Sequence, residues 1–364
     1  MTTLHLPLSP EAFPAHASML LARSEAFTVE AFRFPSGVEA LRIENARGVV
    51  TLLPYLGQMI WDATFDGRRL TMGSAFEQPR AGASILATYG AFAYHAGVLR
   101  NGTPGPDDSH PLHGEMPTAR MDSAHLLFGQ DARGDFVELG GACEYVMGFG
   151  PHYIARPRVR LYHHSALIEV EMVVENRSAH PMELMYMLHA NFDFVAGARI
   201  VQPAPFTPER TCVRRKVPGH VTPSPAFLAL LDDLAANPAR MEVLDEPGLY
   251  TPEQVFYIRA PGTDAQGATR MLMELPGGQA FSAGWRPRDL PFCVRWILND
   301  GDAQVAAFAL PATCEPEGYI AEKAKGHVRE LAPGETACFP VTIGLLAPGE
   351  CDAARTEIDM MRKA

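Results

Sequence analysis

The sequence predicts an all-β protein, a large antiparallel β-sandwich with few, short helices. Three observations point to it. Short segments suited to strands, many of them alternating apolar with polar residues, recur along most of the chain. Thirty-one glycines and thirty-one prolines cut these segments into brief runs, as turn-forming residues do. Helical patterns do not alternate with the strands, so parallel βαβ units are excluded and antiparallel layers remain.

Taken in order, residues 10–30 carry an early helix signal. Ser9-Pro10-Glu11 reads as an N-cap with proline in the first turn, and Ala, Met and Leu follow. Residues 1–36 are expected to form a helical or extended arm ahead of one sandwich domain over residues 37–364. Residues 37–45 alternate as a half-buried strand, and Arg47-Gly48 turns the chain into residues 49–53. Residues 58–65 and 68–72 flank Asp66-Gly67, a two-residue hairpin turn in which glycine accepts positive φ. Further strands are expected at 135–139, 143–147, 156–162 and 167–176, and later at 254–259, 270–275, 280–284, 292–298, 304–310 and 337–345. Residues 226–236 predict one or two helical turns. The 364 residues show no linker and no internal repeat.

Composition narrows the function classes. A formal charge of −11 disfavours a nucleic-acid partner, which needs a basic face, and mildly disfavours a membrane surface. No apolar run reaches the eighteen or so residues of a membrane-spanning helix. The N-terminus lacks a basic region followed by an apolar stretch, so no secretory signal is expected. Six cysteines are scattered without a C-x-x-C pair, which predicts reduced thiols in a cytoplasmic protein and no structural zinc. Dinucleotide, Walker and G-x-S-x-G motifs are absent, so no cofactor is expected.

Candidate chemistry gathers in four places. Residues 182–194, Met-Glu-Leu-Met-Tyr-Met-Leu-His-Ala-Asn-Phe-Asp-Phe, read as a strand that can be buried on both faces. It places His189 at its carboxyl end, followed by Asn191 and Asp193. An imidazole beside so much hydrocarbon is either an acid–base group or a hydrogen-bonded core histidine. The turn-rich loop 101–117 contains His110 and His113. Pro111 interrupts any helix through that pair, so a metal is a minor reading. His113 stands before Gly114, where backbone can come close to a ligand; a surface loop histidine is the alternative. The loop after residues 304–310 carries Glu315 and Glu317, either a general base or two solvated glutamates. Glu253 or Gln254, at the entry of 254–259, can bind hydroxyls or form a plain strand edge. Arg210, Arg214, Arg215 and Lys216 are the only basic cluster, which can hold an anionic substrate but reads better as a solvated loop.

Two of these pieces together resemble the galactose mutarotase (aldose 1-epimerase) superfamily. Leu112-His113-Gly114 is similar to that family's leucine–histidine–glycine element. Leu188-His189-Ala190-Asn191-Phe192-Asp193 is similar to its histidine element at a strand end, with changes at the flanks. Leu331-Ala-Pro-Gly-Glu335 resembles the family's closing turn. Tyr89-Gly90, His95-Ala-Gly97, 110–114 and 311–318 look like a divergent aldose 1-epimerase-like branch. The resemblance implies anomer interconversion of a free sugar by acid–base ring opening, by a monomer or homodimer without a cofactor. It implies His189 as the acid protonating the ring oxygen and His113 as its assistant. A late glutamate serves as base in that family, but Leu310 or Pro311 occupies its place here, so Glu315 is the expected substitute. Glu253, Gln254, Asp193, Asn191, His95 and Glu317 are the expected sugar-binding residues, with Asp193 keeping His189 cationic. A carbohydrate-binding protein without turnover, or an epimerase of a modified or phosphorylated sugar, are the alternatives.

Overall fold

The computed structural model describes residues 3–217 and 221–363. Two large antiparallel sheets face each other. In one, nine strands run from the edge strand Leu4–Leu8 through Ser123–Asp131, Gly134–Val146, His152–Tyr162, Leu167–Asn176, Thr336–Leu346, Ala280–Trp285 and Thr269–Glu274 to Arg199–Val201. The other, of thirteen strands, places Thr211–Val213, Gln254–Ile258, Phe292–Asn299, Ala303–Ala312, Met187–Ala190, Ala93–Ala96 and Met59–Phe65 side by side, then continues through residues 19–53.

The long strands are alternators. Leu167–Asn176 buries every second residue, so one face packs inward and the other is solvated. The inner faces meet in an aromatic layer. Phe192 contacts Phe92, Phe281 and Phe308, and Tyr186 stacks on Phe339 of the nine-stranded sheet at 4.7 Å. At the predicted hairpin, Asp66 and Gly67 have φ of +48° and +72°, the pair of positive values that a type I′ turn requires.

Several expectations are corrected. Residues 10–30 are not a helix: a single 3-10 turn, Pro10–Ala12, is followed by strands Met19–Arg23 and Thr28–Arg33. Ser9 makes no capping hydrogen bond, and the β-branched and aromatic residues from Thr28 onward pair with Glu39–Glu44 instead. Strands expected at 135–139 and 143–147 are one strand, Gly134–Val146. The 182–194 run divides into Met182–Leu184 and Met187–Ala190, which join different sheets. The helix Pro225–Ala236 is longer than expected, capped by Ser224. The C-terminal helix Pro348–Met361, which buries Cys351, Ala354, Ile358 and Met361, was not anticipated. Among the described residues, no helix is long and apolar enough to cross a membrane.

Candidate functional site

Register decides which side chains share a face. His189 pairs with Tyr94 and Leu188 with His95. Partners across a ladder point to the same side, and neighbours along it to opposite sides. His95 turns inward and bonds through Nδ1 to the Tyr186 hydroxyl at 2.8 Å, in the layer between the sheets. It is therefore a core histidine, pushed down to about 3 by burial, and not the sugar-binding group expected. His189 and Tyr94 face the opposite way, with rings stacked at 4.7 Å and 10°.

His113 comes to the same place from the 101–117 loop. Its ring centroid lies 4.9 Å from that of His189, edge to face. The residue has φ of +59° and Gly114 +80°. A Cβ at Gly114 would sit 2.0 Å from the Arg100 carbonyl oxygen, so this glycine lets the loop approach backbone rather than a ligand. Glu115 secures the loop: its Oε1 accepts from the backbone N–H of Val98 and Leu99, each at 2.9 Å, and from the Tyr153 hydroxyl at 2.8 Å.

Aromatic rings enclose the two imidazoles. Tyr89 lies 6.0 Å and Trp296 5.8 Å from His189, and Tyr89 and Trp296 are 5.7 Å apart. Burial, reinforced by each imidazole's neighbouring histidine, keeps both rings neutral: His113 is pushed down to about 3 and His189 falls well below the ordinary histidine value. A cationic His189 supported by Asp193 is therefore a corrected expectation. The Asp193 carboxyl is raised by burial, and the cations acting on it are Arg69 and Arg68. Asn191 is fully buried under the site and donates to the Ala91 carbonyl at 2.9 Å. His189 Nδ1 and the Tyr94 hydroxyl are buried without a hydrogen-bond partner, a costly arrangement in a finished core.

The carboxylate joined to this cluster is Glu253. Its Oε2 accepts from Trp296 Nε1 at 2.6 Å and its Oε1 from Arg214 at 3.0 Å. Gln254, one residue on, faces inward, fully buried, and donates to the Leu249 carbonyl, so it does not bind at this face. Arg214 is one-tenth exposed, lodged between Glu253 and Glu317 rather than in a solvated loop. Glu317 accepts from the Tyr257 hydroxyl and lies 3.4 Å from Lys216 Nζ. Glu315 is elsewhere engaged. Arg259 binds its Oε1 at 3.0 Å and Lys325 its Oε2 at 2.8 Å. Burial raises its carboxyl, but those cations outweigh the effect and hold it below the usual range. None of its partners belongs to the aromatic enclosure, so its expected place opposite the histidines is corrected.

Glu315, Glu322 and His327 approach one another closely enough to suggest a metal. Lys325 already bonds to both carboxylates and supplies the positive charge there. Tyr94 and Trp296 were missed in the sequence because each arrives from a separate strand; Tyr94 beside His95 was the available signal.

A family model described as a domain of unknown function (DUF4432) matches residues 35–345. No curated protein matches the sequence. Among solved structures, a "putative aldose 1-epimerase" from Klebsiella pneumoniae subsp. pneumoniae is 18% identical, with a TM-score of 0.80 over 99% of this chain and 96% of its own. A galactose mutarotase-like protein from Clostridium acetobutylicum is 10% identical, with a TM-score of 0.60 over 89% and 99%. Another, from Lactobacillus casei, is 12% identical, with a TM-score of 0.52 over 84% and 100%. The fold is that of galactose mutarotase-like proteins.

Proposed function

This chain belongs to the DUF4432 family, and from that premise we propose that it is an aldose 1-epimerase-like isomerase interconverting the anomers of a free sugar. One observation carries the reading: two buried imidazoles 4.9 Å apart share an aromatic enclosure with a single attached carboxylate. It is supported by the structural likeness to a "putative aldose 1-epimerase" and a galactose mutarotase-like protein.

The chemistry follows from the groups. Glu253 keeps free lone pairs beyond the two donors it accepts, and takes the proton of the anomeric hydroxyl. The ring C–O bond breaks, leaving a carbonyl at C1 and developing negative charge on the former ring oxygen. A neutral imidazole can stabilise that charge by donating a hydrogen bond, without first being cationic. His189 supplies this donor and His113 borders the same enclosure. Rotation about the C1–C2 bond, reclosure and return of the proton give the other anomer. Tyr89 and Trp296 offer flat apolar walls for the sugar ring.

Polarimetry on freshly dissolved D-galactose and D-glucose tests the proposal. The protein should accelerate the approach to equilibrium. His189→Ala and Glu253→Gln should each slow it at least about a hundredfold, the usual scale for losing an acid–base group. A wild-type protein that binds sugar without changing the rate would assign it to the carbohydrate-binding class instead.

A further inference from the structure

His113 carries more information than its proximity to His189. Its ring nitrogens have different partners: Nδ1 faces Asn101 Oδ1 at 3.4 Å, and Nε2 faces the Tyr89 hydroxyl at 3.3 Å. Which nitrogen holds the proton depends on what those partners can give.

The orientation of the Asn101 amide is settled by a third group. Its oxygen accepts from the Gly102 backbone N–H at 2.7 Å, and rotating the amide would set an NH2 against that N–H. The amide nitrogen has no hydrogen-bond partner and lies beside the buried Cys314 thiol. Asn101 is fully buried, so solvent does not reorganise it. The atom facing His113 Nδ1 is therefore an oxygen, which only accepts. The ring is buried among those of Tyr89, Tyr94 and His189, which hinders its rotation, and its backbone is pinned on both sides: the N–H donates to the Gly102 carbonyl at 3.0 Å and the carbonyl accepts from Gly97 at 2.9 Å.

We infer that Asn101 fixes the proton of His113 on Nδ1, so that His113 meets a ligand through the lone pair of Nε2, where the Tyr89 hydroxyl now donates. A hydroxyl of the substrate takes the place of the tyrosine hydroxyl there. The two histidines then differ in kind: His113 accepts a hydrogen bond from the sugar while His189 donates one. Asn101 is a positioning residue, acting through the imidazole it orients. The substrate seat rests on the proposed function; the tautomer does not.

Long-range 1H–15N correlation spectra of the 15N-labelled protein decide it, with His113 assigned by the signals lost in His113→Gln. In the unliganded wild type, Nδ1 should show the shift of a protonated ring nitrogen and Nε2 that of an unprotonated one. Asn101→Leu should abolish this pattern in favour of Nε2–H or an averaged pair. Asn101→Asp should retain Nδ1–H and move the pH at which the ring charges upward, because a carboxylate favours the cation. A merely structural asparagine would move neither reading. Adding D-galactose or D-glucose should shift Nε2 and leave Nδ1 protonated. A proton on Nε2 in the wild type overturns the inference, as does sugar binding that leaves the Nε2 signal unmoved. If neither sugar binds, the proposed function fails while the unliganded spectrum still decides the tautomer. Should Asn101→Leu not fold, the wild-type and Asn101→Asp spectra suffice.

Discussion

The outer faces of the two sheets make opposite use of their polar residues. On the nine-stranded sheet, a groove of about 720 Å³ is lined by arginines and acids. Many of them are matched across strands: Glu138 registers with Arg160 and Arg158 with Glu171, both ion-paired. On the thirteen-stranded sheet, the patch around His189 is walled by aromatic rings and holds a buried ring nitrogen and a tyrosine hydroxyl without partners. Paired charges in water satisfy each other and gain little, whereas desolvated groups left unpaired retain the capacity to act on something that enters.

Three measurements can break or sharpen this contrast. The largest effect concerns acid. His95, His113 and His189 are buried neutral, with folded values below the ordinary 6.5. Above pH 6.5 neither the folded nor the unfolded chain protonates them. As pH falls below that value the unfolded chain binds protons first, so stability drops until the lowered folded values are reached, about 3 for His95 and His113. Three such groups imply a slope on the order of 4 kcal/mol per pH unit between about 6 and 4, read from urea midpoints. His95→Gln should reduce the slope by one proton, and an unchanged slope would mean that His95 is not held neutral.

The next effect separates the two glutamates. Glu315→Gln removes an acceptor shared by Arg259 and Lys325, and should cost about 2 kcal/mol of stability, the scale of a charged hydrogen bond. Chemical denaturation measures it. A hundredfold loss of sugar isomerisation at unchanged stability would instead make Glu315 the base and displace Glu253.

The smallest effect belongs to the groove. Arg158→Ala disrupts an ion pair whose arginine is about half exposed, so stability should change by less than about 1 kcal/mol and the isomerisation rate should not change. A large change in rate would show that the groove and the histidine face are coupled.

Much of the architecture was legible in the chain. The alternation of 167–176, the Asp66-Gly67 turn and the strands of the second half follow from local periodicity and turn chemistry. The 10–30 helix was misread because a capping pattern at Ser9-Pro10 was extended over residues whose pairing partners lie further along the chain. At the site, His113 and His189 stood out as short motifs, and the structure brings their rings together. Their ionisation, the inward turn of His95 and the engagement of Glu315 were not visible in any motif.

What the sequence determined by itself was the all-β class and the two histidines worth asking about, since both rest on patterns spanning a few residues. Only the tertiary structure decided which face each side chain takes and which carboxylate joins the imidazoles. In a strand that is apolar on both sides, alternation does not distinguish inward from outward. Glu253, Trp296, His189, Tyr94 and His113 meet only because strand order brings distant segments side by side. Charge and hydrogen bonding act through space, so Lys325 and Arg259 set the state of Glu315, and Asn101 that of His113, across gaps that local sequence does not record.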